Sequence, residues 1–362
     1  MKSVLIGVGQ AGGKLTRELV DFDEQMGFGS IRGAVGVNTA QADLRDLPFE
    51  TVLVGQDRVK GQGVGGDNEL GAEVMQSDLQ EVLAALDGRI TAGTESIFVV
   101  AGLGGGTGSG GAPVIAKELS RVYDVPIYGL GILPGRDEGS MYQVNAGRSL
   151  KTFAREADSL LLVDNDAFRS VGESVTEGFD SINGEIAKRV GLLLASGESV
   201  DGVAESVVDS SEIINTLRNG SIAALGYASA EAAPEAEDNI NTVMSTTRRA
   251  LLTGSSLPDT TDAEAALVVV AGKQEAIPRK GVERARRWVE EETGSLQVRG
   301  GDFPLASDRI AVLILLGGVE RSERLEAFMQ RAKDAREQEA TAETKPSDPG
   351  DLWANDELED LL

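Results

Sequence analysis

The residues best suited to chemistry lie in two glycine-rich stretches. They are Gly7-Val8-Gly9-Gln10-Ala11-Gly12-Gly13 and Gly102-Leu103-Gly104-Gly105-Gly106-Thr107-Gly108-Ser109-Gly110-Gly111. Glycine in a regular element forfeits roughly 0.5–1 kcal/mol against alanine, so such a run implies that something requires bare backbone. A polyphosphate does: N–H groups converge on its oxygens only where no Cβ intervenes, and a helix N-terminus adds a favourable dipole. Thr107 and Ser109 add hydroxyl donors. The second stretch sits between the apolar run Ile97-Phe98-Val99-Val100-Ala101 and a helical pattern ending at Tyr123, which argues against a flexible linker. The first stretch matches the dinucleotide pattern GxGxxG, but the second strand ends in Val37-Asn38-Thr39, without the acid that would hold a ribose. A P-loop is excluded because Lys14 has Val8 six residues before it and Leu15 after it.

Composition narrows the chemistry further. The chain has 362 residues with no cysteine and no histidine, which excludes thiol nucleophiles, Cys/His metal sites and Ser-His-Asp triads. Asp and Glu number 59 against 34 Lys and Arg, a formal net charge of -25. That argues against nucleic-acid or anionic-membrane partners, which demand basic surfaces. It suits a high-salt cytoplasm, where the Debye length falls to about 3 Å at 1 M salt and self-repulsion is screened. The N-terminus has one lysine and a short apolar run before its glycines, so it reads as a buried strand rather than a signal peptide. No run approaches the roughly 18 apolar residues of a membrane span.

These loops must be held by a sheet. Strands are predicted at Ser3–Val8, Ala34–Val37, Thr51–Val54, Ser96–Ala101, Ile127–Ile132 and Ser159–Val163, with helices between them such as Met75–Leu86 and Pro113–Tyr123. Strand–helix alternation with unbroken apolar strands indicates an α/β fold with a parallel sheet, whose ligands bind at the carboxyl ends of the strands. A long helix over Glu177–Ser196 has Ile182, Ile186, Val190 and Leu193 as one stripe. A smaller region follows, with helices at Glu212–Ala223, Ile240–Leu252 and Gly281–Glu292 and strands at Ala266–Ala271 and Ile310–Leu316. The resulting division is 1–176 for a nucleotide-binding domain, 177–196 for the central helix, 197–334 for a C-terminal domain and 335–350 for a disordered linker. The segment 351–362 regains Leu352, Trp353, Leu358, Leu361 and Leu362 among acids, a pattern that suits docking to a protein partner.

Two such loops on one sheet resemble the tubulin/FtsZ superfamily. The stretch Gly104–Gly110 is similar to that family's signature loop, and the overall pattern is closest to the archaeal tubulin-like CetZ proteins. The resemblance implies a GTP/GDP site with Mg²⁺. Gly9, Gln10, Ala11, Gly12 and Lys14 would contribute from the first loop, Asn38 from the second strand, and Gly65, Gly66 and Asp67 from a third loop. Gly104, Gly105, Gly106, Thr107, Gly108 and Ser109 would hold phosphate, and Glu138 would accept from a ribose hydroxyl. Asn165 and Asn183 would read the guanine edge, with Phe179, four residues before Asn183 on the same helix face, stacking on the base. It further implies a cytoplasmic cytoskeletal GTPase that assembles head to tail and serves cell shape or division. The next subunit would supply Asp209 and Glu212 as catalytic acids. Val207 stands where the family usually has Asn, which leaves open an assembling protein with little hydrolysis. A non-assembling dinucleotide oxidoreductase is the competing reading, and it leaves the second glycine loop unexplained.

Overall fold

Six short apolar runs in the first half pair as parallel strands because helices cover both of their faces. The structure, a computed structural model, describes residues 1–168, 175–198, 208–218 and 220–343. The strands are β1 (Ser3–Val8), β2 (Ile31–Asn38), β3 (Glu50–Leu53), β4 (Ser96–Gly102), β5 (Ile127–Leu133) and β6 (Ser159–Asp164). Four more follow: β7 (Ile222–Glu231), β8 (Thr260–Gly272), β9 (Gln297–Pro304) and β10 (Arg309–Ser322). All ten form one sheet in the order β3-β2-β1-β4-β5-β6-β7-β10-β8-β9. The two halves join through a parallel pairing of β6 and β7 at Leu160↔Ile222 and Leu161↔Ala223. Beyond it β10 runs antiparallel to both β7 and β8, while β9 is parallel to β8.

Twelve helices are described: α1 (Gly9–Met26), α2 (Gln41–Leu44), α3 (Gln56–Val59), α4 (Asn68–Ser77), α5 (Leu79–Leu86), α6 (Thr107–Val122), α7 (Ser140–Glu156), α8 (Val175–Ser196), α9 (Ser210–Leu217), α10 (Asn239–Leu252), α11 (Arg279–Thr293) and α12 (Glu323–Glu343). Alternate residues of each strand feed two cores. Val4, Ile6 and Val8 of β1 meet the layer that contains α4 to α7 and α10 to α12. Leu5 meets the layer of α1, α8 and α9. The predicted stripe Ile182, Ile186, Val190 and Leu193 is buried in that second layer.

Four expectations change. The helix expected over Met75–Leu86 is two, α4 and α5, divided at Asp78, whose carboxylate accepts the Gly55 N–H at 2.6 Å. The helix expected over Glu212–Ala223 stops at Leu217; Ile222 and Ala223 already belong to β7, after left-handed turns at Gly220 and Ser221. Strands β7 and β9 were not anticipated, since glycine and alanine dilute their apolar pattern. Lastly, α12 continues to Glu343, through the stretch expected to be a linker from 335. Its alanines, glutamates and arginines are strong helix formers even without large apolar side chains, and Ala335 is buried. The acidic-apolar segment 351–362 lies outside the described residues.

The strand order reverses between β1 and β4, and both glycine loops open at that point. Gly12 lets α1 lie against β4: a Cβ there would stand 2.2 Å from the Val100 carbonyl oxygen. Gly12→Ala should therefore lower the melting temperature strongly, by the 1–3 kcal/mol or more of an overpacked core, as read by circular dichroism; an unchanged melt would contradict this packing.

Candidate functional site

The carboxyl ends of β1, β2, β4 and β5 surround a cavity of about 420 Å³, within the roughly 300–1,000 Å³ of small-molecule sites. Gly9, Gln10, Ala11, Lys14, Asn38, Gly65, Gly66, Gly104, Gly105, Gly106, Thr107, Gly108, Glu138, Asn165 and Asn183 all line it. Five loops and the helix α8 thus converge on one space. α6 begins at Thr107 and presents its amino end there, so orphan N–H groups and the helix dipole favour an anion.

Four candidates behave differently. Gly12 is used in packing, as described above. Asp67 caps α4, accepting from Glu69 N at 3.0 Å and Leu70 N at 2.9 Å. The Ser109 hydroxyl turns back into its own loop, donating to the carbonyls of Gly105 and Gly106. Phe179 falls within α8, one turn before Asn183, but its side chain lies outside the described residues.

The glycines of the second loop serve two distinct purposes. A Cβ on Gly110 would stand 2.1 Å from the Asn68 carbonyl oxygen, and one on Gly106 would stand 2.9 Å from the Gly66 carbonyl carbon. Those positions are small because backbones pack against one another, which corrects the expectation that phosphate alone demanded them. Gly105 is different. No protein atom lies within 4 Å of where its Cβ would be, and its φ is not left-handed. The chain itself would accept alanine there; a ligand lying against the loop would not.

Several side chains hold the loops, among them Thr39, Asp43, Asn145 and Ser149, which the sequence did not single out. Thr39 and Thr107 share a buried hydroxyl hydrogen bond of 2.6 Å, fixing the end of β2 to the start of α6. Asp43 accepts from Gln10 Nε2 and Asn38 Nδ2, each at 3.0 Å. Asn145 donates from Nδ2 to Gly66 O at 2.7 Å and Gly104 O at 3.1 Å, tying two phosphate-type loops together. Pro113 has no N–H for the Ser109 carbonyl four residues earlier; the Ser149 hydroxyl donates to that carbonyl instead, at 2.8 Å. Glu138 Oε1 accepts from Gly135 N at 2.7 Å, closing its loop. Tyr142 also lines the cavity, beside Gly104.

A nearly buried ion network secures the wall that carries Glu138 and Asn165. Arg324, at the start of α12, donates to Asp164 from Nε and to Asp166 from Nη2. Asp166 also accepts from Arg136 N at 3.2 Å and Arg136 Nε at 3.1 Å. Burial opposes ionisation of Asp166, but the hydrogen bonds from Arg136 and Arg324 outweigh it and hold the carboxyl below the ordinary aspartate range.

Asp209 and Glu212 are absent from the cavity wall. Gly197 abuts Ser210, where α9 begins, with an added Cβ only 3.0 Å from Ser210 Cα. Ser210 Oγ donates to Glu95 Oε1 at 2.9 Å, and Glu95 immediately precedes β4. The acids therefore stand at the amino edge of the sheet, whereas the cavity is at the carboxyl edge. Along α8, Asn183 and Ser196 are separated by about 20 Å at 1.5 Å per residue. The pair is electrostatically split. Asp209 caps α9, and the Ser211 hydroxyl that donates to it keeps its carboxyl low despite some desolvation. Burial pushes the Glu212 carboxyl up, and the Asp209 charge adds to the shift while Arg299 opposes it. Glu212 Oε2 is buried without a hydrogen-bond partner among the described residues.

Residues 2–173 match the tubulin/FtsZ family GTPase domain, and residues 172–334 match the tubulin-like CetZ C-terminal domain. The chain belongs to the tubulin/FtsZ family. The tubulin-like protein CetZ2 of Haloferax volcanii is 72% identical over the full length of both chains. A solved structure described as a GTPγS-bound protofilament of Haloferax volcanii CetZ2 superposes with a TM-score of 0.91 and 73% identity, covering 94% of this chain and 100% of that one. The GDP-bound monomer of Haloferax volcanii CetZ1 gives a TM-score of 0.86 at 49% identity, covering 93% of this chain and 100% of that one. Family membership displaces the dinucleotide-oxidoreductase reading of the first loop.

Two outcomes follow from the cavity. Gly105→Ala should leave the melting temperature within about 1 °C of the parent, as a substitution away from packed contacts does, yet weaken GTP binding at least tenfold by titration calorimetry; unchanged affinity would remove the loop from phosphate contact. Arg324→Ala leaves Asp164 without its cation and Asp166 with Arg136 alone, so GTP affinity should fall by severalfold and the melting temperature by several degrees, with Arg324→Lys only partly restoring both.

Proposed function

We propose that this chain is a GTP-binding, self-assembling GTPase whose hydrolytic site is completed between subunits. The observation that carries the reading is the division of the machinery. Bare backbone and a helix N-terminus lie at one edge of the sheet, and a poised carboxylate pair lies at the other. One molecule cannot bring the two together. A head-to-tail neighbour can, and the protofilament of the CetZ2 relative supports that arrangement.

In this reading Gly104 to Gly108 and Gly9 to Ala11 hold the phosphates through main-chain N–H groups, with Lys14 and Thr107 beside them. Glu138 accepts from a ribose hydroxyl. Asn165 and Asn183 read the guanine, each offering both donor and acceptor, and Phe179 stacks on it. Mg²⁺ bound with the nucleotide would offset the phosphate charge. The neighbour's Glu212 accepts a proton from the attacking water. A carboxyl held above its ordinary range is the stronger base of the two, and Asp209, held ionised, stabilises the geometry. The strongly acidic composition supports work in a high-salt cytoplasm, where filaments would serve cell shape or division. The reading with little hydrolysis rests on Val207, which lies outside the described residues.

Phosphate release measured across protein concentration, in high KCl with Mg²⁺, tests this. Turnover per molecule should rise steeply with concentration, and Glu212→Gln should keep GTP affinity while losing about 10²-fold or more in rate, the usual worth of a general base. Turnover independent of concentration would refute the shared site, and concentration-dependent assembly without turnover would favour the non-hydrolysing alternative. Because Glu212 is held above its ordinary carboxyl range, its folded state favours the protonated form, so ionisation costs stability as pH rises. The Glu212→Gln variant should then melt higher than the parent at pH 7, and the gain should vanish below about pH 4, where the parent carboxyl is protonated in both states.

A further inference from the structure

Helices α10 and α11 lie side by side over β7, β8 and β10, and their outward stripes leave a groove of about 620 Å³. Asn241, Met244, Ser245 and Arg248 recur at i, i+3, i+4 and i+7 on one helix. Arg284, Arg287, Trp288 and Glu291 repeat the same spacing on the other. The floor is apolar, from the half-buried Met244 and Trp288, and the Arg248 guanidinium stands over the Trp288 ring at 5.7 Å. Arg248, Arg284 and Arg287 are exposed, and none forms an ion pair among the described residues. In a chain where acids outnumber bases 59 to 34, three exposed arginines gathered on one groove, with Glu291 beside them, form a basic patch that suits an acidic occupant.

We propose that this groove receives the chain's own segment Asp351–Leu362. That segment carries Asp351, Asp356, Glu357, Glu359 and Asp360 with no base, and places Leu352, Trp353, Leu358, Leu361 and Leu362 among them. Carboxylates meet the arginine walls while the apolar side chains cover Trp288 and Met244, the mode by which an amphipathic segment fills a groove between helices. The tether is short. Residues 344–350 join the segment to the end of α12, so every copy of the chain carries it. Contact pairs of arginine and carboxylate survive salt that screens long-range attraction. A free polyanion such as RNA is not carried by the chain, and it offers no aliphatic side chains to cover Met244.

The chain lacks cysteine, so a cross-link in the full-length protein reports cleanly. Ser245→Cys combined with Ala354→Cys, mildly oxidised in high KCl, should link at least ten times faster than Ser77→Cys with Ala354→Cys, since Ser77 is exposed on α4, outside the groove. Adding Arg284→Glu with Arg287→Glu should return the rate to that control. A link within one chain or between copies both meet the expectation, because the occupant is the same segment. Equal rates at the two sites, or indifference to charge reversal, would overturn it, as would capture of RNA or anionic vesicles by the same arginines without a link. A second reading guards against a misfolded variant. The only tryptophans are Trp288 and Trp353, so Trp288→Phe leaves Trp353 as sole reporter. Acrylamide should quench it several-fold less than in the same variant carrying the charge reversal; equal quenching would overturn the proposal.

Discussion

The separation imposed by α8 governs the rest of the molecule. Its buried stripe fixes one end near the cavity, at Asn183, and brings the other to Gly197, against the start of α9. A parallel sheet has distinct amino and carboxyl edges, and loops at the two edges cannot meet within one molecule. The chain therefore holds an anion-binding surface and a carboxylate pair facing opposite ways. This arrangement also resolves an electrostatic conflict. Asp43 and Glu138, acids lining the cavity, are both engaged in hydrogen bonds, Asp43 with Gln10 and Asn38 and Glu138 with the Gly135 N–H. The Glu212 carboxyl, with an oxygen buried and unpartnered among the described residues, is kept at the far edge, away from the cavity.

Precision in the cavity comes from side chains that never need to touch a ligand. Asn145 bridges two loop carbonyls, Ser149 satisfies the carbonyl that Pro113 cannot serve, and the Thr39–Thr107 pair fixes a helix end. Arg324 extends this support across the two halves of the chain, since it begins α12 in the C-terminal region and grips the loop after β6. Each contact leaves fewer backbone arrangements open to the loops, so less conformational freedom remains to be lost when a ligand is bound.

The parallel half of the sheet was legible because its strands are short, mostly apolar runs, with glycine loops directly after β1 and β4, and the bounds read for β1 match the structure. The antiparallel half was less so. Ala223, Ala224 and Gly226 of β7 carry no strong strand preference, and it is pairing with β10, and with β6 at Ala223, that makes them a strand. The glycine loops announced the site but not its division of labour. Gly110 and Gly105 look alike in the sequence, yet one is pressed against Asn68 and the other faces open space. Asp43, Asn145 and Arg324 gave no local signal, because their importance depends on partners far away in the chain.

The central claim is that Glu212 of one molecule completes the phosphate site of the next. The most direct measurement is a structure of the assembled protein with a non-hydrolysable GTP analogue and Mg²⁺. The account predicts the Glu212 carboxylate of one subunit hydrogen-bonded, at roughly 2.6–3.2 Å, to a water in line with the terminal phosphate held by its neighbour. A filament in which Glu212 faces solvent, or an analogue bound anywhere other than against Gly105 and the start of α6, would contradict it.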